Sequence, residues 1–294
     1  MPPTASPRRI AAARANREAA PDFAVIGHRG ARGLFPENTI EGFAATLALG
    51  VTMIELDIGV TADDVVVVSH DPCLHPDLTR DSSGQWLSAP GPPIRQIRFD
   101  ELRDYEVGRI KPGSTYARRF PDQTLVDGLR IPSLADVLAL DPRIIWAIEL
   151  KTFPRQPDLT VPPERIADLV LALAEAHKAS GRIILQSFDW RGLDHARRRC
   201  PDIALAWLTE KDAEHGSPLA RVAAAARGAA NAARWMPQFA ELDAAAVSAA
   251  QAQGLAVIPW DVNDDDAIER ALEWRVDGII TDRTDIALRL LHAR

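Results

Sequence analysis

Residues 23–60 read FAVIGHRGARGLFPENTIEGFAATLALGVTMIELDIGV, and this stretch indicates the class of fold. An apolar run at 23–27 is followed by a segment with helical periodicity that ends at Gly50, and a second apolar run occupies 52–60. A glycine directly after the last periodic residue is typical of a helix end. A strand, a helix and a second strand in this order predict two parallel strands of an α/β protein.

The same alternation of apolar runs and amphipathic segments continues along most of the chain. Six further runs read as strands: VVVVSH (65–70), IIWAIELK (144–151), IILQSF (183–188), ALAWL (204–208), LAVIPW (255–260) and DGIIT (277–281). About eight strand–helix units that close on themselves predict a TIM-type (β/α)8 barrel. Two points of this count stay open, because 233–237 reads as another short strand and 211–232 reads as a helix without an assigned place.

Length and charge restrict the classes of function. The chain has 294 residues and a net charge of −7, which suits a single α/β barrel and argues against broad electrostatic binding of nucleic acid or of an anionic membrane. No segment approaches the roughly 18 consecutive apolar residues of a membrane span, so we expect no membrane insertion. Cys73 and Cys200 show no metal-ligand spacing, and we interpret them as incidental thiols.

We interpret residues 1–21 as a flexible N-terminal tail and residues 22–294 as one barrel domain. The tail lacks the apolar stretch of a secretory signal, and we therefore expect a cytoplasmic protein. The same lack of an apolar stretch would be found if an export signal had been removed or if the start of the sequence were misassigned. The oligomeric state stays open at this point.

A long irregular segment interrupts the alternation. From Asp71 to about Ile131 the sequence is rich in proline and has no strong periodicity, and it is far longer than the usual two to six residues of a βα loop. We therefore predict an insertion, about 71–131, after the third strand. Insertions that follow the carboxyl end of a barrel strand lie over the active site, so this segment is a candidate lid.

Polar residues gather at the ends of the first four predicted strands. They are His28 and Arg29, Glu55 and Asp57, His70 and Asp71, and Glu149 and Lys151. Side chains two residues apart on a strand share a face, so the members of the pairs 55/57 and 149/151 point together. If these faces point inward at the top of the barrel, all of these groups meet in one pocket.

Such a pocket would need a cation. Three carboxylates drawn together repel one another and lose solvation unless a cation joins them, and an all-oxygen set without cysteine favours Mg²⁺ or Ca²⁺ over zinc. The arginine and the lysine would remain to bind a phosphate, and imidazoles titrate near neutral pH and serve as acid and base. The pattern indicates metal-assisted phosphoryl transfer or phosphodiester cleavage.

The motifs resemble those of the glycerophosphodiester phosphodiesterase family. HRGARGLFPENT, ELDIGVTADDVVVVSHD, IELK, QSFD, PWDVND and DGIITD occur in the family's order, and the likeness runs from about Phe23 to Ile286. The resemblance implies a TIM barrel with an insertion after strand three. It also implies hydrolysis of small-molecule glycerophosphodiesters to an alcohol and sn-glycerol 3-phosphate, with a role in glycerol and lipid metabolism. The preferred alcohol stays open.

The resemblance also implies roles for individual residues. His28 and His70 would be the acid/base pair, with neither role assigned to either residue. One divalent cation, Mg²⁺ or Ca²⁺, would be held by Glu55, Asp57 and Glu149. Arg29 and Lys151 would bind the phosphate, Glu37 would orient His28 and Arg29, and Phe188 and Trp260 would line the glycerol side.

Two other functions are compatible with the same motifs. A phospholipase-D-like hydrolase of lysophospholipids or sphingolipids would use the same barrel, but it should carry an apolar, membrane-seeking loop, whereas the insertion is polar and rich in proline. A catalytically inactive barrel that only binds a phosphodiester would lack a histidine or a metal-binding acid, and none is missing here.

The chain departs from the family pattern in two places. After SHDP it reads DLTRDSSGQW where members commonly have L-x-R-T-T-x-G, and near strand seven it has WDVN where members often have W-T-V-N. We interpret the extra acid, Asp261, as a local cap before the helix at 264–266, with a contact to a substrate hydroxyl as the alternative. We interpret His75 as a surface residue.

Overall fold

A computed structural model describes residues 23–210, 217–229, 231 and 233–294. Within these residues the strands are β1 Ala24–Gly27, β2 Met53–Val60, β3 Val66–Val68, β4 Ile145–Leu150, β5 Ile183–Ser187, β6 Ala204–Thr209, β7 Arg234–Pro237, β8 Ala256–Val257 and β9 Gly278–Thr281. All except β3 run parallel in the order β8-β7-β6-β5-β4-β2-β1-β9. Backbone hydrogen bonds of 2.9 Å from Asp277 to Val257 and from Ile280 to Pro259 join β9 to the β8 side. The predicted barrel is confirmed.

Helices connect the strands and cover the outside of the barrel. They are α1 Ile40–Ala48, α2 Phe99–Leu102, α3 Thr115–Arg119, α4 Leu134–Leu138, α5 Pro163–Ala176, α6 Trp190–Arg199, α7 Pro218–Ala225, α8 Ala244–Ala252, α9 Asp265–Glu273 and α10 Thr284–His292. None of the described helices has the length and hydropathy that crossing a membrane requires.

Two of the strands differ from the sequence expectation. β3, the core of the predicted run 65–70, pairs antiparallel with β2 and forms a hairpin beside the barrel instead of a barrel strand. The short run 233–237 supplies the missing barrel strand, because β7 pairs in parallel with both β6 and β8. A hairpin strand and a barrel strand are both short and apolar, so the sequence pattern alone does not distinguish them.

The long irregular segment lies between β3 and α4 and contains the short helices α2 and α3. It packs on a small apolar cluster of its own, which comprises Val67, Leu74, Ile94, Ile97, Leu102 and Ile131. Because β3 is not a barrel strand, the segment separates the barrel strands β2 and β4. The predicted tail at 1–21 lies outside the described residues, and the division into one domain and a tail stays a prediction.

The apolar core has two layers, one inside the barrel and one between the strands and the helices. Polar residues occupy one end of the barrel. Inside the barrel, an apolar group fills the space between the strands: Ile26, Ala147, Ile184, Ala206, Leu208, Met236, Ile258 and Ile280. Outside it, the strands pack against the helices, as where the Phe43 and Trp146 rings meet edge to face at 5.3 Å. The barrel interior is therefore filled by apolar side chains, and the polar residues lie toward the carboxyl ends of the strands.

Gly42 allows α1 to pack against the loop that follows β1. An alanine normally favours a helix over glycine by about 1 kcal/mol. Here a Cβ at position 42 would clash with the Pro36 carbonyl oxygen. We expect Gly42→Ala to lower the free energy of unfolding by about 1–3 kcal/mol, the usual cost of overpacking, in urea titrations followed by circular dichroism.

Gly181→Ala is the matched control. A Cβ there meets nothing within 4 Å, and its backbone shows no positive φ. We expect this variant to match the wild type to within about 0.5 kcal/mol. A Gly42→Ala protein at least as stable as the wild type would contradict the packing constraint.

Candidate active site

The loop between β1 and α1 folds back over the barrel mouth. Arg29 and Asn38 have positive φ angles of 50° and 54°, and the Asn38 backbone N–H donates to the Arg29 carbonyl at 2.9 Å. Thr39 then caps α1, because its hydroxyl oxygen accepts from the Gly42 N–H at 3.0 Å. This turn directs the side chains of the HRG and PENT motifs toward the same space.

Three buried carboxylates lie at the centre of that space. β2 carries Glu55 and Asp57, and β4 carries Glu149 in register with Asp57. One carboxylate oxygen can be chosen from each of the three acids so that the three oxygens all lie within 4.8 Å of one another. All three residues are buried. The predicted inward orientation therefore brings the three acids together.

The carboxylates do not ionise alike. Burial raises the pKa of Glu55 well above its usual range, and the charges of Asp57 and Glu149 add to this. Burial also raises the pKa of Glu149. At Asp57 burial acts in the same direction, but the attraction of Arg29 and other cationic groups outweighs it and holds the pKa well below the usual range.

This donor set fits a divalent cation. Three buried carboxylates, with two of their pKa values raised by burial and mutual repulsion, would be relieved by a positive charge between them. Their oxygens are the ligands that Mg²⁺ and Ca²⁺ prefer in proteins. The cluster Glu55, Asp57 and Glu149 could therefore hold a metal ion.

Two cationic side chains border the acid cluster. The Arg29 guanidinium donates to Glu37 Oε1 at 2.9 Å, and its Nε lies 3.2 Å from Asp57 Oδ2. Lys151 Nζ lies 3.2 Å from Glu149 Oε1 and 3.6 Å from Asp57 Oδ1. The two groups predicted to bind phosphate are thus held beside the acids, and Glu37 contacts Arg29.

His28 lies between two acidic groups. Its Nδ1 is 2.7 Å from Asp282 Oδ1 and 3.1 Å from Asp261 Oδ1. On the opposite side of the ring, Nε2 lies 3.8 Å from Glu55 Oε2. An Nδ1–H that donates to Asp282 leaves Nε2 directed toward the acid cluster.

His70 has a similar arrangement on the other side of the cavity. Its Nδ1 lies 2.7 Å from Asp71 Oδ1, and the side chain is 34% exposed compared with 11% for His28. Burial acts to raise the pKa of Asp71, but the contact with His70 outweighs it and lowers the pKa. Each predicted acid/base histidine therefore has an aspartate on Nδ1.

His28 is held by Asp282, which is not among the site residues predicted from the sequence. Asp282 directly follows β9, and it also accepts from Arg32 Nε at 2.7 Å and from Asn263 Nδ2 at 2.9 Å. Burial acts to raise the pKa of Asp282, but the contacts with His28 and Arg32 outweigh it and lower the pKa strongly. A carboxylate at the carboxyl end of a predicted strand, as in DGIITD, was the signal that could have identified it.

The interpretation of Asp261 as a helix cap is wrong. Asp264 caps α9, where its carboxylate accepts from the Ala267 N–H at 2.8 Å. Asp261 instead lies in the cavity, 3.2 Å from Arg32 Nη2 and 3.1 Å from His28 Nδ1. The segment that follows β8 therefore places a carboxylate in the cavity.

The cavity at the barrel mouth has a volume of about 400 Å³ and contains all ten of the predicted site residues. Phe188 and Trp260 meet edge to face on one wall, with ring centroids 5.6 Å apart. The irregular segment between β3 and α4 contributes Tyr116, whose hydroxyl donates to Glu37, and also His75. His75, interpreted from the sequence as a surface residue, is partly exposed and lines the cavity, with its ring 5.5 Å from that of Tyr116.

Comparisons with known proteins agree with this geometry. The model described as "Glycerophosphoryl diester phosphodiesterase family" matches residues 28–286. The Bacillus subtilis protein named "Putative glycerophosphodiester phosphodiesterase YhdW" is 30% identical over 266 residues, which are 90% of this chain and 96% of that protein.

Solved structures show the same architecture. The crystal structure of a protein named "Putative glycerophosphoryl diester phosphodiesterase" from Silicibacter pomeroyi superposes with a TM-score of 0.86 and 35% identity, covering 92% of this chain and 93% of that one. An Oleispira antarctica phosphodiesterase in complex with the product sn-glycerol-3-phosphate has a TM-score of 0.72 and 19% identity, covering 94% and 98%, and so shares the fold. On the extent of the family match, the chain belongs to the glycerophosphoryl diester phosphodiesterase family, as its motifs indicate.

Proposed function

We propose that the protein hydrolyses glycerophosphodiesters to an alcohol and sn-glycerol 3-phosphate, with one divalent cation, Mg²⁺ or Ca²⁺, and with His28 and His70 as acid and base. Family membership makes the chain an enzyme that cleaves phosphoric diesters. One observation carries the finer proposal: the two aspartate-held histidines share a single cavity with the buried acid cluster and two cations.

The charges of the cavity suit a phosphodiester. Arg29 and Lys151 are fixed beside the acid cluster by ion pairs of 2.9–3.6 Å, and both pKa values are raised although burial opposes this. They therefore remain charged and can bind the phosphoryl oxygens. A divalent cation held by the three acids would neutralise charge that develops on those oxygens.

The histidines can then move protons in two steps. One imidazole removes the proton from the glycerol 2-hydroxyl, whose oxygen attacks phosphorus, while the other protonates the departing alcohol oxygen. Water then opens the cyclic phosphate as the two proton transfers run in reverse, and sn-glycerol 3-phosphate leaves. Asp282 and Asp71 hold the rings so that Nε2 of each is free for this chemistry.

The product fits the structural relatives. A phosphodiesterase with this fold binds sn-glycerol-3-phosphate as its product, and we propose the same product here. The Phe188 and Trp260 rings supply an apolar wall for the carbon atoms of a glycerol. The lysophospholipid alternative is not favoured, since the family model and the named relatives are glycerophosphodiester phosphodiesterases.

Activity should require both the metal and His28. We expect glycerol 3-phosphate release from glycerophosphocholine to stop in EDTA and to return with Mg²⁺ or Ca²⁺. We expect His28→Ala to lower kcat by at least about 100-fold, the lower range for a lost acid or base. His195→Ala is the control, because His195 also pairs with an aspartate, at 2.9 Å, but lies outside the cavity lining. EDTA-resistant hydrolysis, or an unaffected His28→Ala protein, would refute the mechanism.

Asp282 should act through His28. We expect Asp282→Asn to lower kcat about 10²-fold or more with a much smaller change in KM, because an amide can donate to Nδ1 and favour the wrong tautomer. The dependence of kcat on pH should shift as well. A variant that loses activity only in proportion to its loss of folded protein, with an unchanged pH profile, would show that Asp282 is merely structural.

Glu55 should make the stability of the metal-free protein depend on pH. Its pKa is raised in the folded state, so stability falls as pH rises from the ordinary value of about 4.5 through the raised value. Asp57 has a lowered pKa, so it affects stability only below its ordinary pKa of 3.8, and therefore not in the pH range where Glu55 acts. We expect Glu55→Gln to gain stability relative to the wild type between pH 5 and pH 8 in EDTA, measured by thermal unfolding.

With Ca²⁺ bound, the wild type should become more stable than Glu55→Gln. Saturating Ca²⁺ should stabilise the wild type and have little effect on Glu55→Gln, because the amide cannot supply the negative charge. If the stability difference between Glu55→Gln and the wild type did not change with pH in EDTA, this would contradict the repulsion inferred for the acid cluster.

A further inference from the structure

Gln186 has an unpartnered oxygen beside the acid cluster. The side chain lies on β5, is 1% exposed, and donates from Nε2 to Glu55 Oε1 at 3.0 Å. When Glu55 is ionised, as a metal ligand must be, only the NH₂ group of the amide can donate to it. Its Oε1 is buried and has no hydrogen-bond partner among the described residues.

Such an atom is costly to retain. A buried acceptor left without a partner costs about 1–3 kcal/mol. Most buried polar side-chain atoms in proteins are paired, and each exception calls for an explanation. Gln186 also lines the cavity, so a group bound in the cavity is a candidate partner for Oε1.

The strand register places Gln186 in line with two of the three acids. Asp57 on β2 pairs with Glu149 on β4, and Glu149 pairs with Gln186 on β5. Directly paired residues of parallel strands point to the same face of the sheet, so the three side chains form one inward row. Glu55, on the same face of β2 two residues earlier, is bridged to this row by the amide.

We propose that Gln186 Oε1 is a fourth protein oxygen ligand for the divalent cation at Glu55, Asp57 and Glu149. This inference rests on the proposed function, which requires that cation. Amide carbonyl oxygens ligate Ca²⁺ together with carboxylates. Glutamine supplies an oxygen without adding a fourth negative charge to a cluster whose members already repel one another.

Gln186 then has two separable contributions. Through Nε2 it orients Glu55, and through Oε1 it binds the cation. Gln186→Met removes both contributions while keeping an unbranched side chain of similar length. Gln186→Glu removes the donor but retains a ligand oxygen, so the pair of variants distinguishes a ligand from a residue that only positions Glu55.

The test is a calorimetric titration of the metal-free protein with Ca²⁺, which does not depend on activity. We expect Gln186→Met to bind Ca²⁺ at least about tenfold more weakly than the wild type, and Gln186→Glu to bind at least as well as the wild type. Gln251→Met is the matched control, because Gln251 Nε2 also donates to an aspartate, at 3.0 Å to Asp277, but away from the cavity. Thermal unfolding in EDTA checks that each variant folds.

Two results would overturn the inference. Equal Ca²⁺ affinity in Gln186→Met and the wild type would show that Oε1 is not a ligand. Equal weakening in Gln186→Met and Gln186→Glu would show that Gln186 only positions Glu55. The wild-type titration separates these results from failure of the proposed function, since a wild type that binds no divalent cation refutes the metal site itself.

Discussion

The mutual repulsion of three buried carboxylates is the constraint on which the rest of the site depends. Glu55, Asp57 and Glu149 are almost fully removed from water, and burial together with like charge disfavours their ionised forms. Arg29 and Lys151 offset part of this charge and hold Asp57 ionised. Because of the remaining negative charge the cluster could hold a divalent cation, as the proposed phosphodiester chemistry requires.

The two histidines flank that cluster with matching supports from different parts of the fold. Asp71 follows His70 directly in the chain, whereas Asp282 reaches His28 from the last barrel strand. Arg32 also contacts Asp282 and Asp261, so the more buried histidine lies in the denser network of ion pairs. The difference in exposure, 11% for His28 and 34% for His70, gives two chemically similar rings unequal access to solvent.

The scaffold separates stability from chemistry. Apolar side chains fill the barrel interior, and the strand–helix interface is a second apolar layer. The candidate site residues stand on barrel strands or on the segments that follow them, so that backbone hydrogen bonds set their positions. The irregular segment between β3 and α4 packs on a small apolar cluster and brings Tyr116 to Glu37, which in turn pairs with Arg29.

The sequence by itself determined the strand–helix alternation, the shared face of Glu55 and Asp57, and the HRG and PENT loop, because these depend on short-range periodicity and on motifs. Only the tertiary structure decided that β3 leaves the barrel and β7 completes it, since both runs are short and apolar. It also decided the partner of His28. Barrel closure pairs Gly27 with Thr281, and this brings Asp282 to His28 across 254 residues, a distance along the chain that no local pattern spans.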